Sequence, residues 1–159
     1  FLFDTSLLGS DATISAAVLS LYGTGKTDNL GTTPNVDIYT STPASNTGLA
    51  ADDFIQIGST SQTGAPITYA NWSATGYNDF TFNATGRGNI SKTSISKFGA
   101  RNANYDVAAV IPTWVAISAS TIGAFMADQA DTTSDPKLVV TYTTPTAQWA
   151  SAKMMVGIG

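Results

Sequence analysis

The chain has 159 residues, a formal net charge of −4 and 11% charged residues, and all eleven of its acidic residues are Asp. Glu, His and Cys are absent, which excludes a His-based triad, a thiolate nucleophile, a disulfide framework and zinc or haem sites of the ordinary ligand types. Seven scattered Lys and Arg residues leave no electrostatic footprint for nucleic acid.

Period-2 alternation dominates from the first residues. Phe1-Leu2-Phe3-Asp4 predicts a strand, followed by a turn through Leu8-Gly9-Ser10-Asp11. Thr13 to Tyr22 predicts a long strand with a bulge near Ala16-Ala17, and Gly23 to Pro34 a polar loop. Val36 to Tyr39 alternates, Leu49 to Asp53 predicts a short helical turn, and Phe54 to Ile57 the next strand. Trp72 falls in a loop after Ile67 and Tyr69, and Asp79-Phe80-Thr81-Phe82 alternates again. Ala84 to Ser94 predicts a loop or one helical turn. Strands are then expected at Ile95 to Arg101, Thr113 to Ile117, Ile122 to Met126 and Lys137 to Tyr142.

About a quarter of the residues are Ser or Thr, and strong helix formers are scarce. About ten short strands between Gly, Pro, Asn and Asp turns predict one all-β domain, a two-sheet antiparallel sandwich over residues 1–142. Phe1, Phe3, Phe80 and Phe82 are its expected core. Thr143-Thr144-Pro145-Thr146 reads as a linker, and residues 143–159 as linker plus an apolar tail. Val107 to Ala127 is uncharged over about the length of a bilayer span. Pro112, Gly123 and the absence of basic flanks favour two buried strands around a turn instead, so no membrane span is expected. The opening Phe1, with no charged-then-apolar leader behind it, reads as a processed or truncated start.

Three segments carry a resemblance. Phe3-Asp4-Thr5-Ser6-Leu7 with Ala12 to Tyr22, Phe98-Gly99-Ala100-Arg101, and Asp135-Pro136-Lys137-Leu138-Val139-Val140-Thr141-Tyr142 together resemble the DNRLRE-type domains. Those domains are similar to carbohydrate-binding modules, and the resemblance implies a jelly-roll β-sandwich. It also implies an extracellular setting, such as a secreted polysaccharide-acting protein, a cell-surface protein or a phage virion component. The acidic-basic motif behind the family's name has no counterpart here, and neither does the strand that usually precedes the Phe-Asp segment. No ligand site is carried over.

Candidate chemistry is thin. Gly23-Thr24-Gly25-Lys26-Thr27 lacks the first Gly of a phosphate-binding loop, because Ser20 stands there, and Asp28-Asn29-Leu30-Gly31 rather than a helix pattern follows. Asp52-Asp53 and Asp128, Asp131 and Asp135 read first as turn residues or helix caps. The trio is the candidate set for calcium, since oxygen ligands are the one metal chemistry this composition permits; no other cofactor is expected. Trp72, Tyr77, Tyr105 and Trp114 lie in or beside loops and form a candidate sugar platform, each weighed against an ordinary core or rim role. The triplets at Asn71, Asn83 and Asn89 match glycosylation acceptors, as chance provides in a chain this rich in Asn, Ser and Thr.

The tail is the least ordinary feature. Met154, Val156 and Ile158 alternate with Met155, Gly157 and Gly159, which describes a strand with one apolar face, and Trp149 precedes it. Such a strand must be buried, on its own sandwich or on a neighbour. Trp149, Met154, Val156 and Ile158 are therefore the candidate assembly residues. Two functions follow from these readings. One is a non-enzymatic structural subunit of a cell-surface filament or virion, with other copies of itself as partners. The other is a carbohydrate-binding module that anchors a larger protein to polysaccharide.

Overall fold

A computed structural model describes residues 1–48, 50–127 and 130–145. Eight strands form among them: β1 (Leu2–Asp4), β2 (Thr13–Asp28), β3 (Val36–Ser41), β4 (Ile57–Ser61), β5 (Tyr77–Thr81), β6 (Ile95–Asn102), β7 (Ser120–Ala124) and β8 (Lys137–Thr143). One sheet has the order β1-β6-β3-β4; in the other, β2 is flanked by β5, β7 and β8. All pairings are antiparallel. The one α-helix among the described residues, α1 (Ala84–Gly88), is a single short turn. No helix among the described residues is long and apolar enough to cross a membrane.

Alternation places the core between the sheets. Ala17, Leu19 and Leu21 of β2 point inward beside Phe80 and Phe82, and Ile38 and Phe98 approach from the other sheet. Phe82 and Phe98 meet edge-to-face at 4.9 Å between centroids, which joins the two layers directly. Each of the Leu, Ile and Phe side chains, fully withdrawn from water, contributes about 1.5–3 kcal/mol. Phe1 and Phe3 are half-buried against the same cluster, as the alternation of the opening residues predicts.

The length of β2 differs from expectation. It runs 16 residues, through Gly23 to Lys26 and on to Asp28, where the sequence predicts a loop. A register shift between Ile14 and Ala16 supplies the bulge expected nearby. A second shift at Gly23 to Gly25 lets the strand change partners, from β5 and β8 to β7. Glycine is needed at the first of these positions because a Cβ on Gly23 would lie 1.9 Å from the Ser73 carbonyl oxygen. Lys26 is a strand residue whose ammonium donates to the Tyr69 and Ala70 carbonyls at 2.8 and 3.1 Å, so it has no part in a phosphate loop.

β5 and β8 both pair with Val18 to Ser20, so they lie on opposite edges of β2. The Tyr22 carbonyl accepts from Phe125 N, whereas Gly23 N donates to Gly76 O on the β5 side. Neighbouring residues of a strand direct their main-chain groups to opposite edges, so β7 shares the edge of β8. The chain leaves that edge after Ala124 and rejoins it at Lys137.

Two other expectations are corrected. Phe54 and Ile55 lie in a helical turn, Ala51–Gln56, rather than a strand. Asp53 holds this turn as a cap by accepting from Ala50 N at 2.8 Å. Thr113 to Ile117 forms no strand and is exposed, so Val107 to Ala127 contains one strand, not two. Of the nine strands placed by alternation these two are lost and β4, at Ile57–Ser61, is added, which leaves eight among the described residues.

Candidate functional site

The four aromatic candidates are not brought to one face. Trp72 is 3% exposed and packs against Phe80 at 6.4 Å between centroids. It is a core residue and offers no ring face to a sugar. Its Nε1 is buried with no hydrogen-bond partner among the described residues, a cost the indole offsets by filling the core. Tyr77 lies on the outer face of β5, where Tyr22 meets its ring edge-on at 5.2 Å and the Lys137 ammonium sits 3.6 Å from its centroid. Its hydroxyl donates to the Thr133 and Asp135 carbonyls at 2.8 and 3.1 Å, tying the 125–136 excursion to the sheet. Tyr105 is half-buried in the helical turn Ala103–Val107, and only Trp114 is largely exposed.

The acidic trio divides in the same way. Asp131 accepts from Thr133 N at 2.8 Å, closing a local turn that holds its carboxyl below the usual range. Asp135 keeps one buried oxygen without a partner among the described residues. Asp128 lies outside the described residues, as do Trp149, Met154, Val156 and Ile158 of the tail. Among the described residues no three acidic groups come together as a metal site would require. Asn83 and Asn89 use their amides internally, toward the Thr63 carbonyl at 2.7 Å and Gln62 Oε1 at 2.7 Å, whereas Asn71 is exposed.

What the structure gathers instead is apolar surface. Arg101 of β6 donates to both carboxylate oxygens of Asp106 at 2.7 and 2.8 Å and to the Ile57 and Gly58 carbonyls at 3.1 and 2.9 Å. This fork fastens the turn at 103–107 onto the sheet and, by hydrogen bonding, depresses the Asp106 pKa. From that anchor the chain enters an exposed loop carrying Val110, Ile111, Trp114, Val115 and Ile117. Ile111 is 93% exposed and Trp114 79%. Ile117 holds a φ of 61°, a conformation that costs a β-branched residue of order 1–3 kcal/mol. Alternation in Thr113 to Ile117 suggested a buried strand, so nothing in the sequence marked these side chains as solvent-facing.

A second apolar feature is a groove of about 570 Å³ beside β1. Phe1, Leu2, Phe3, Ala51, Phe54 and Met126 line it. Phe54 is 64% exposed, and among the described residues Asp53 is the one charged side chain along the groove. The excursion between β7 and β8 supplies its other wall through Met126, Ala127 and Pro136. Phe1 and Phe3 were legible as core residues, but their role as one wall of an open groove was not.

No family model, curated protein or solved structure matches the chain.

Proposed function

We propose that the chain is a non-enzymatic structural subunit of an extracellular assembly, a cell-surface filament or virion component, built on a jelly-roll sandwich and joined through apolar contacts. The supporting observation is the row of exposed apolar side chains from Val110 to Ile117 in a chain with 11% charge. Contiguous exposed apolar surface of this kind marks a contact site. Burying what these five side chains still expose contributes roughly 6–11 kcal/mol, at about 1.5–3 for each fully exposed one. That is of the same order as the about 4–15 kcal/mol lost on association. The sparse charge adds little repulsion to oppose close packing of copies. The apolar alternation of Met154, Val156 and Ile158 supplies a second contact.

Two variants, one lacking residues 148–159 and one carrying Ile111→Asp with Trp114→Asp, test this by light scattering and electron microscopy beside the parent chain. The parent is expected to form multimers and both variants to be smaller. A parent that stays a monodisperse monomer at high concentration overturns the proposal.

One observation favours a second reading, a carbohydrate-binding module. The Trp114 indole is free of the sandwich, and its ring face can stack on a pyranose. A glycan array with Trp114→Ala as control decides it, and no binding at millimolar sugar removes it.

A further inference from the structure

We infer that the groove along β1 is the acceptor for the tail strand of a second copy, with residues 153–158 adding to the free edge of the β1-β6-β3-β4 sheet. This rests on the assembly reading above and names its contact.

The main chain of β1 provides the edge. Phe1 and Phe98 exchange both backbone hydrogen bonds, at 2.7 and 3.0 Å. The next residue of an antiparallel pair then directs its N–H and carbonyl away from the partner strand. Leu2, which pairs with Lys97, accordingly presents its backbone groups to the groove side. Successive strand residues point to opposite faces, so a cavity lined by Phe1, Leu2 and Phe3 together reaches the edge of β1, and it extends past Phe1 onto Gly99 and Ala100 of β6 and Ile57 of β4. An open edge with apolar walls is the geometry that strand addition uses: main-chain bonds hold the incoming segment, and alternate side chains fill the pocket.

The tail matches this acceptor in pattern and charge. Met154, Val156 and Ile158 form one apolar row, while Met155, Gly157 and Gly159 occupy the other side. Lys153 is the one charged residue from 147 to 159; among the described residues the groove carries the Asp53 carboxylate and the Phe1 ammonium, the latter already donating to the Phe98 carbonyl. Pro136 lines the groove and β8 ends at Thr143, opposite Thr13. Within the described residues, β8 therefore runs away from its own groove. The tail of one copy and the groove of the next are different surfaces, so the contact repeats head-to-tail into a ring or a filament.

The absence of Cys makes the test direct. Ala51 is exposed at the groove, and Thr81 is exposed on the outer face of the other sheet. Full-length Ala51→Cys and Thr81→Cys proteins are each mixed with full-length Val156→Cys or Ile158→Cys and oxidised. The proposal expects disulfide-linked pairs with Ala51→Cys and none with Thr81→Cys. It also expects Ala50→Trp, which fills the groove from an exposed position, to reduce the multimer. If the doubly substituted Ala51→Cys, Val156→Cys chain closes on itself and the mixtures do not link, the tail seats in its own groove and the second-copy assignment falls. If no linkage to Ala51→Cys forms while deletion of 148–159 still dissolves the multimer, the groove is refuted and tail-driven assembly stands. If neither linkage nor multimer is seen, both fall.

Discussion

Gly23→Ala and Gly25→Ala make a matched pair, two residues apart in one strand, for which the structure gives opposite signs. At Gly23 the added methyl would sit 1.9 Å from the Ser73 carbonyl oxygen and 2.9 Å from Trp72 Nε1. The nearest obstacle is backbone, so β2 or the Ser73 segment must shift by more than an ångström. Overpacking of this kind costs about 1–3 kcal/mol, with rigid backbone neighbours toward the top of that span. The lower entropy of the unfolded Ala chain returns about 0.4–1 kcal/mol, leaving a net loss of about 2 kcal/mol. At Gly25 nothing lies within 4 Å of the added atom and φ is not in the left-handed region, so only the entropic gain remains. At about 2–4 °C per kcal/mol for a domain of this size, Gly23→Ala should melt about 4–8 °C below the parent and Gly25→Ala slightly above it. Thermal and urea unfolding of dilute protein followed by circular dichroism measures both. Equal midpoints for the two variants would refute the argument that partner-switching in β2 depends on close approach at Gly23.

Trp72→Ala should cost about 3–5 kcal/mol in urea unfolding, whereas Trp114→Ala should stay within about 0.5 kcal/mol, because one indole is 3% exposed and the other 79%. Asn83→Ala should cost about 2 kcal/mol, since its side chain accepts from Gly86 N at 2.8 Å and donates to the Thr63 and Ser61 carbonyls at 2.7 and 3.2 Å; an unchanged urea midpoint would contradict that role. The pH dependence follows from Asp106, whose pKa is lowered chiefly by its hydrogen bonds from Arg101. A carboxyl that titrates lower in the fold than in the unfolded chain stabilises fully above its ordinary value near 4. That contribution is lost as pH falls through the folded value. Asp106→Asn should therefore flatten the loss of stability on acidification in a series of urea melts from neutral to acid pH, and an unaltered acid slope would count against the fork.

Local pattern carried far where one strand faces one core. Period-2 alternation at Phe80 and Phe82, at Val36 to Tyr39 and at Ile95 to Arg101 fixes which side chains point inward, whatever the partners are. The all-β class and two antiparallel layers follow from those faces needing cover. Partner choice is a different kind of information. Gly23 to Lys26 reads as loop chemistry, yet it is strand because β7 offers an edge to it. Thr113 to Ile117 reads as strand, yet no strand of either sheet pairs with it and it is exposed loop. Trp72 sits among turn residues and is buried because its indole packs on Phe80, which comes from another part of the chain. Likewise the groove beside β1 joins residues 1–3, 51–54 and 126, a neighbourhood that no window of sequence contains. The sequence by itself determined period and composition, hence class and core faces, because side-chain direction along a strand is local. Only the tertiary structure decided which edges are paired and which apolar surface stays open, because those depend on contacts between segments distant in the chain.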